Sequence, residues 1–208
     1  MRSPLSGVVP LLTAILLTAC ATPVEWSQIP SSPSCCTSLA SLPFSPLPSD
    51  ELTTVSIGPA PWFPFGRGEE SPFVAFSLPV SARTQVLRID TFPQMMGGAR
   101  VFVPSVLWLD ERHAPIGPGV SPTLRQASDL LRGSHFRVEM PVPSGARHAV
   151  VYSAAVVRDR TFLMHIPASV QSVPIGNGGM IYLPVAARVQ PVVASPTGTL
   201  RVLLESRS

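Results

Sequence analysis

Proline occupies 25 of the 208 positions, against a usual share of about 5%. Its ring clashes with the preceding helical turn, and it offers no N–H to a central strand. With breaks this frequent, long helices cannot form, and the chain is expected to be turn-rich and mainly β. Hydrophobic residues make up 45% and charged residues 13%. That is enough apolar material for a core and too little charge for a disordered chain.

The formal charge is +3 and the pI about 9.1, yet no basic run concentrates it. A nucleic-acid partner, which needs clustered cations along a phosphate backbone, is therefore not expected. The cations are all Arg and none is Lys, the codon signature of a G+C-rich genome.

The first twenty residues read MRSPLSGVVPLLTAILLTAC. Arg2 precedes an apolar run over residues 8–17, which is too short for the ~20 residues that span a bilayer. This is the layout of a secretory signal. Leu17-Thr18-Ala19-Cys20 matches a bacterial lipobox, in which the thiol is alkylated by diacylglycerol and the chain is cut before the modified Cys. Small residues at 18 and 19 let the segment enter the peptidase. Two or more acyl chains are needed for stable anchoring, and a lipoprotein Cys carries them. The alternatives are an ordinary signal with an incidental Cys, or an uncleaved anchor. Ala21, rather than Asp, favours the outer membrane, with the domain facing the periplasm.

The chain thus divides into a lipoprotein signal peptide (residues 1–19), a lipid-anchored Pro/Ser-rich tether (20–50) and a domain (51–208). Leu39, Leu42, Phe44 and Leu47 give the second half of the tether enough apolar character to pack on that domain. Cys35 and Cys36 are adjacent. Neighbouring Cα atoms lie about 3.8 Å apart, below the usual disulfide window of about 4.4–6.8 Å. An oxidising envelope still favours a vicinal disulfide, ahead of an intermolecular bridge and, last, a metal site.

From residue 51 onward, short apolar runs alternate with turn signals. Strands are expected near residues 51–57, 72–80, 84–91, 101–110, 135–142, 147–157, 161–166 and 199–204, with two more possible between 167 and 196. In 72–80, Phe73, Ala75 and Ser77 face one way and Val74, Phe76 and Leu78 the other. This period of two predicts a single antiparallel β-sandwich, jelly-roll-like. One short helix is expected over residues 121–133. Ser121 would cap it, Pro122 would open it and Gly133 would close it, with Leu124, Ala127, Leu130 and Leu131 as its apolar stripe.

No catalytic, metal or cofactor site is legible. His113, His135, His148 and His165 stand singly, without metal-ligand spacing. Asp90, Asp110 and Asp159 end strands, where Asp serves turns. No Ser lies in a GxSxG context, no phosphate-binding loop occurs, and residues 176–179 read as a turn. Trp108 belongs to the core. Trp62 and Phe63 lie in a Pro-rich loop (residues 59–68) where three prolines and two glycines exclude a regular element. Exposed, they would stack carbohydrate rings; alternatively the loop folds over the open end of the sandwich.

SLASLPFSPL, SPFVAFSLP and VFVPSVLWLDERHAP, followed by the expected capped helix, together resemble the maltose operon periplasmic protein family over residues 38–157. The resemblance implies a β-rich, non-catalytic envelope protein acting as an accessory in maltodextrin uptake or binding. It carries over no ligand-binding residues. Better-known members lack a lipobox and continue into an Ala- and Pro-rich C-terminal extension, whereas this sequence runs to Ser208. The alternative is a structural or assembly lipoprotein that docks another envelope protein through an exposed apolar patch.

Overall fold

The computed structural model describes residues 25–28, 35–65, 70–81, 83–95, 98–129, 133–175 and 178–207. The signal segment, Cys20 and the rest of the first half of the tether lie outside them. Fifteen strands account for most of the described chain: β1 (Phe44–Pro46), β2 (Thr53–Ile57), β3 (Trp62–Pro64), β4 (Glu70–Ser77), β5 (Thr84–Thr91), β6 (Arg100–Phe102), β7 (Ser105–Leu109), β8 (Arg125–Asp129), β9 (Gly133–Pro141), β10 (His148–Tyr152), β11 (Thr161–Ile166), β12 (Ser169–Ile175), β13 (Gly179–Val185), β14 (Arg188–Ser195) and β15 (Gly198–Arg207). The fold is mainly β, and no helix reaches seven residues among the described ones.

Two sheets form the sandwich. One runs β2-β15-β5-β9-β8; the other runs β1-β4-β10-β7, with β3 also on β4. Strands β2, β4, β5, β7, β9, β10 and β15 alternate between the two sheets along the chain. The first and last of that series, β2 and β15, are antiparallel neighbours. This is the jelly-roll path. Bridges from Val120 to Val106 and from Pro115 to Leu109 continue the second sheet past β7.

The period of two explains the layers. Leu87, Ile89, Val138, Met140, Leu200, Val202 and Leu204 from the first sheet meet Phe76, Val106, Trp108, Ala149 and Val151 from the second. The alternate residues of the second sheet, Phe73, Ala75, Leu107, Leu109, Val150 and Tyr152, face the other way and are buried as well. A layer made by the start of the fold covers them. Leu42 and Phe63 are buried in it, and Cys36, Leu39, Phe44 and Phe65 pack against it.

The domain therefore begins before residue 51. Leu47 lies in the central core, and β1 pairs parallel with β4, Phe44 opposite Ala75. The second half of the expected tether is a strap held by burial, each such Leu contributing about 1.5–3 kcal/mol.

Two further expectations are corrected. The segment expected to be a helix over residues 121–133 contains β8, which pairs antiparallel with β9 and sets Ala127 opposite His135. Leu130 and Leu131 lie outside the described residues. Gly133, at φ +74°, serves a hairpin rather than a helix end. Its left-handed conformation suits either, and pairing with β9 supplies a ladder, whereas an isolated short helix is marginal in water. The run over residues 101–110 is also two strands, not one. It breaks at Val103-Pro104, sending β6 to a third sheet, β11-β14-β6, while β7 stays in the sandwich.

Candidate functional surface

The connection from β10 to β15 is enlarged into a ribbon. Strand β11 pairs with β14, and beyond it β12 pairs with β13, both antiparallel. The base packs on the body through Met164, Val192 and Ala194, which join Val101, Val103, Phe136 and Val157 in a separate buried cluster. Among the described residues, the outer half joins no core cluster. Val170, Val173, Ile175, Met180, Ile181, Tyr182 and Leu183 are all exposed, Tyr182 at 68%. From residue 167 to residue 187 the sequence carries no Asp, Glu, Lys, Arg or His.

Register decides which residues share a face. Val173 lies opposite Ile181, Pro174 opposite Met180 and Ile175 opposite Gly179, so the three rungs at the tip are apolar on both faces. The next rung sets Ser172 opposite Tyr182. A lone two-stranded ribbon is marginal in water, and soluble proteins rarely expose contiguous apolar area of this kind.

The root is fixed by polar contacts. Gln126 on edge strand β8 accepts the N–H of His165 at 2.8 Å and donates its amide to the His165 carbonyl. One side chain thus ties the first sheet to β11 as another strand would. A cleft of about 470 Å³ lies beside this tie, lined by Gln126, Ser134, His165 and Arg188 among others. The segment Trp26–Gln28 and Glu25 before it sit on the same module. Glu25 is ion-paired with Arg100 of β6, and the Arg158 guanidinium stacks over Trp26 at 4.8 Å.

Of the site residues singled out by sequence, Cys35, Cys36, Trp62 and Phe63 meet at the cover of the second sheet. Cys20 lies outside the described residues. Cys35 and Cys36 are joined by a disulfide. The Cys35 N–H donates to the Trp62 carbonyl at 3.2 Å, and Cys36 packs on the covered face of the second sheet. Trp62 and Phe63 are only 7% and 8% exposed. They belong to β3, whose pairing with β4 overrides the flanking prolines. Phe63 packs in the covered layer, ring-edge contacts to Phe65 and Phe73 included. They form a cover, not a stacking platform for sugar.

His135 is buried near Asp90, 3.9 Å away. Asp90 is gripped by Arg137 through two hydrogen bonds, 2.6 and 3.1 Å. A groove of about 800 Å³ runs past Arg137, Glu139 and Arg207, and these cations are engaged by Asp90 and Glu139. Asp110 accepts the N–H groups of Arg112 and Ala114, both at 2.8 Å, as a turn-forming Asp does. Among the described residues, no group of three His, Cys, Asp or Glu is placed to hold a metal ion. No protein-family model, curated protein or solved structure matches the chain.

Sequence reasoning allowed two short strands here and missed the exposed ribbon they build. Its signal was present: an uncharged run with Val, Ile, Met, Tyr and Leu on either side of Gly176-Asn177-Gly178-Gly179.

Proposed function

We propose that the protein is a non-catalytic envelope lipoprotein, anchored through Cys20 in the outer membrane. It docks another envelope component through the β12–β13 ribbon. The observation that carries this reading is the exposed, uncharged, apolar ribbon on an otherwise well-packed jelly roll. Loops that extend from a rigid scaffold commonly carry binding. Here the extended connection displays apolar area that needs a partner. The likeness to maltose operon periplasmic proteins supports an envelope setting. The maltodextrin reading has less behind it, because Trp62 and Phe63 are buried.

The test follows the two ends separately. Cells labelled with a palmitate analogue should yield labelled wild type and unlabelled Cys20→Ser. In the labelled protein, Met180→Asp with Ile181→Asp should abolish protection of the ribbon from protease in intact envelopes. Equal protease sensitivity of wild type and variant would sink the docking role while leaving the anchor in place.

A further inference from the structure

We infer that the outer face of the first sheet carries a second binding site, in which Arg125 and Arg137 together take the acidic group of an anionic saccharide. The site depends on neither the anchor nor the ribbon. Register sets it up. Arg125 of β8 lies directly opposite Arg137 of β9, Arg137 opposite Asp90 of β5, and Asp90 opposite Arg201 of β15. One row across four strands thus holds three arginines and a single carboxylate. Arg137 takes that carboxylate with Nε and Nη2, and Arg201 stacks over Phe92 at 4.9 Å. Arg125 is exposed, and among the described residues it has no ion pair. Like charges directly opposite destabilise a ladder, their Cβ atoms being only about 5 Å apart. The row is therefore short of one anion at its β8 end.

The groove of about 800 Å³ lies at that end, lined by both Arg125 and Arg137. Asp90 leaves Nη1 of Arg137 to an incoming oxygen, and Arg125 offers its whole guanidinium. Planar guanidinium forks match the oxygens of a carboxylate or a phosphate. An oxyanion set between the two arginines removes their repulsion and gains charge-assisted hydrogen bonds. The acids of this face are already paired, Asp90 with Arg137, Glu139 with Arg207 and Glu205 with Arg88. Arg125 is the charge left over. The groove is far larger than an ion needs and falls in the range of ligand pockets, about 300–1,000 Å³. Val86, Pro122 and Pro141 give it an apolar wall, and Glu139 and Arg207 a polar one. A sugar, with C–H faces and hydroxyls, uses both. A peptide would seek an open strand edge, whereas this groove lies over side chains and Gln126 ties the β8 edge to His165.

Calorimetric titration of the full chain tests the site, with trigalacturonate as the carboxylate probe and glucose 6-phosphate as the phosphate probe. Binding at low salt that weakens as salt is raised is expected, and the tighter probe names the acidic group. Arg125→Gln should weaken it about ten- to a hundredfold, the loss of a charge-assisted pair. Its thermal midpoint should hold or rise, because the substitution relieves the facing Arg137. Arg125→Glu gives Arg137 a carboxylate to face, and should abolish binding while raising the midpoint. Unchanged binding in Arg125→Gln overturns the site, as does no binding of either probe to wild type. A midpoint that falls in both variants makes Arg125 a residue of the fold and overturns it too. Three further probes guard the ligand class. Maltotriose bound as tightly as trigalacturonate means that charge is not read. Triaspartate bound as tightly assigns the groove to a peptide, and inorganic phosphate bound as tightly reduces it to an ion site. Each of these overturns the saccharide assignment.

Discussion

The imidazole rings of His113 and His148 stack face to face, centroids 4.3 Å apart and planes 17° from parallel. Phe44 of the strap packs on both, at 5.1 and 4.6 Å. Burial holds His148 below its ordinary value of 6.5. The neighbouring His113 adds to this, and Asp110 opposes it. The folded protein therefore holds fewer protons on His148 than the unfolded chain does. Stability should be complete above the unfolded value of 6.5 and decline as pH falls through it, levelling off below the folded value. Urea midpoints between pH 8 and pH 5 will show this slope, and His148→Gln should flatten it. An unchanged slope in that variant would remove His148 as the cause.

Gly198 opens β15 directly against Phe102. A Cβ at 198 would sit 2.8 Å from the Phe102 Cβ, and Phe102 is fully buried. Gly198→Ala should cost about 1–3 kcal/mol by overpacking. Gly58→Ala is the comparison, because its Cβ would meet nothing nearer than the Ala60 carbonyl at 3.7 Å. It should lie within about 0.5 kcal/mol of wild type. Chemical denaturation of the two variants side by side checks both.

Leu42 anchors the strap over the second sheet. It is buried among Phe63, Phe73 and Leu109. Leu42→Ala should lose about 2–5 kcal/mol, whereas Val80→Ala, at a side chain 78% exposed, should change stability by less than about 0.5 kcal/mol. A Leu42→Ala protein as stable as wild type would mean that the strap is dispensable and that the domain does begin near residue 51.

Arg137 and Asp90 of the first sheet form an ion pair closed by two hydrogen bonds. The Asp90 carboxylate is 8% exposed, so removing the guanidinium leaves a desolvated charge. The hydrogen bond to Asp90 also raises the Arg137 pKa, against the opposing effect of burial. Because a third of the Arg137 side chain meets water, Arg137→Met should cost about 1–2 kcal/mol, less than a fully buried pair would. Asp90→Asn in the same chain should recover part of that loss, and a thermal double-mutant cycle measures the coupling.

Much of the sandwich was legible along the chain. The expected spans at 84–91 and 161–166 coincide with β5 and β11. Phe73 and Ala75 do face opposite Phe76 and Leu78, because alternation is a property of the extended backbone itself. Trp108 lies in the core. The exposed ribbon was not legible, since alternation cannot say whether an apolar strand is covered. Val106 and Ile181 are equally apolar, yet one is fully buried and the other 45% exposed.

By itself, then, the sequence determined the β class and the inward-facing set of most strands, through proline's limits and a period of two. It also contains the Leu17-Thr18-Ala19-Cys20 motif on which the anchor reading rests. Tertiary structure decided the rest. Residues 125–129 are a strand because β9 offers them a backbone ladder. Trp62 and Phe63 are a cover because the outer face of β4 must be buried. The ribbon stands free because its rungs pair only with each other. In each case the deciding quantity is the partner across the ladder or over the face, and that partner is remote in sequence.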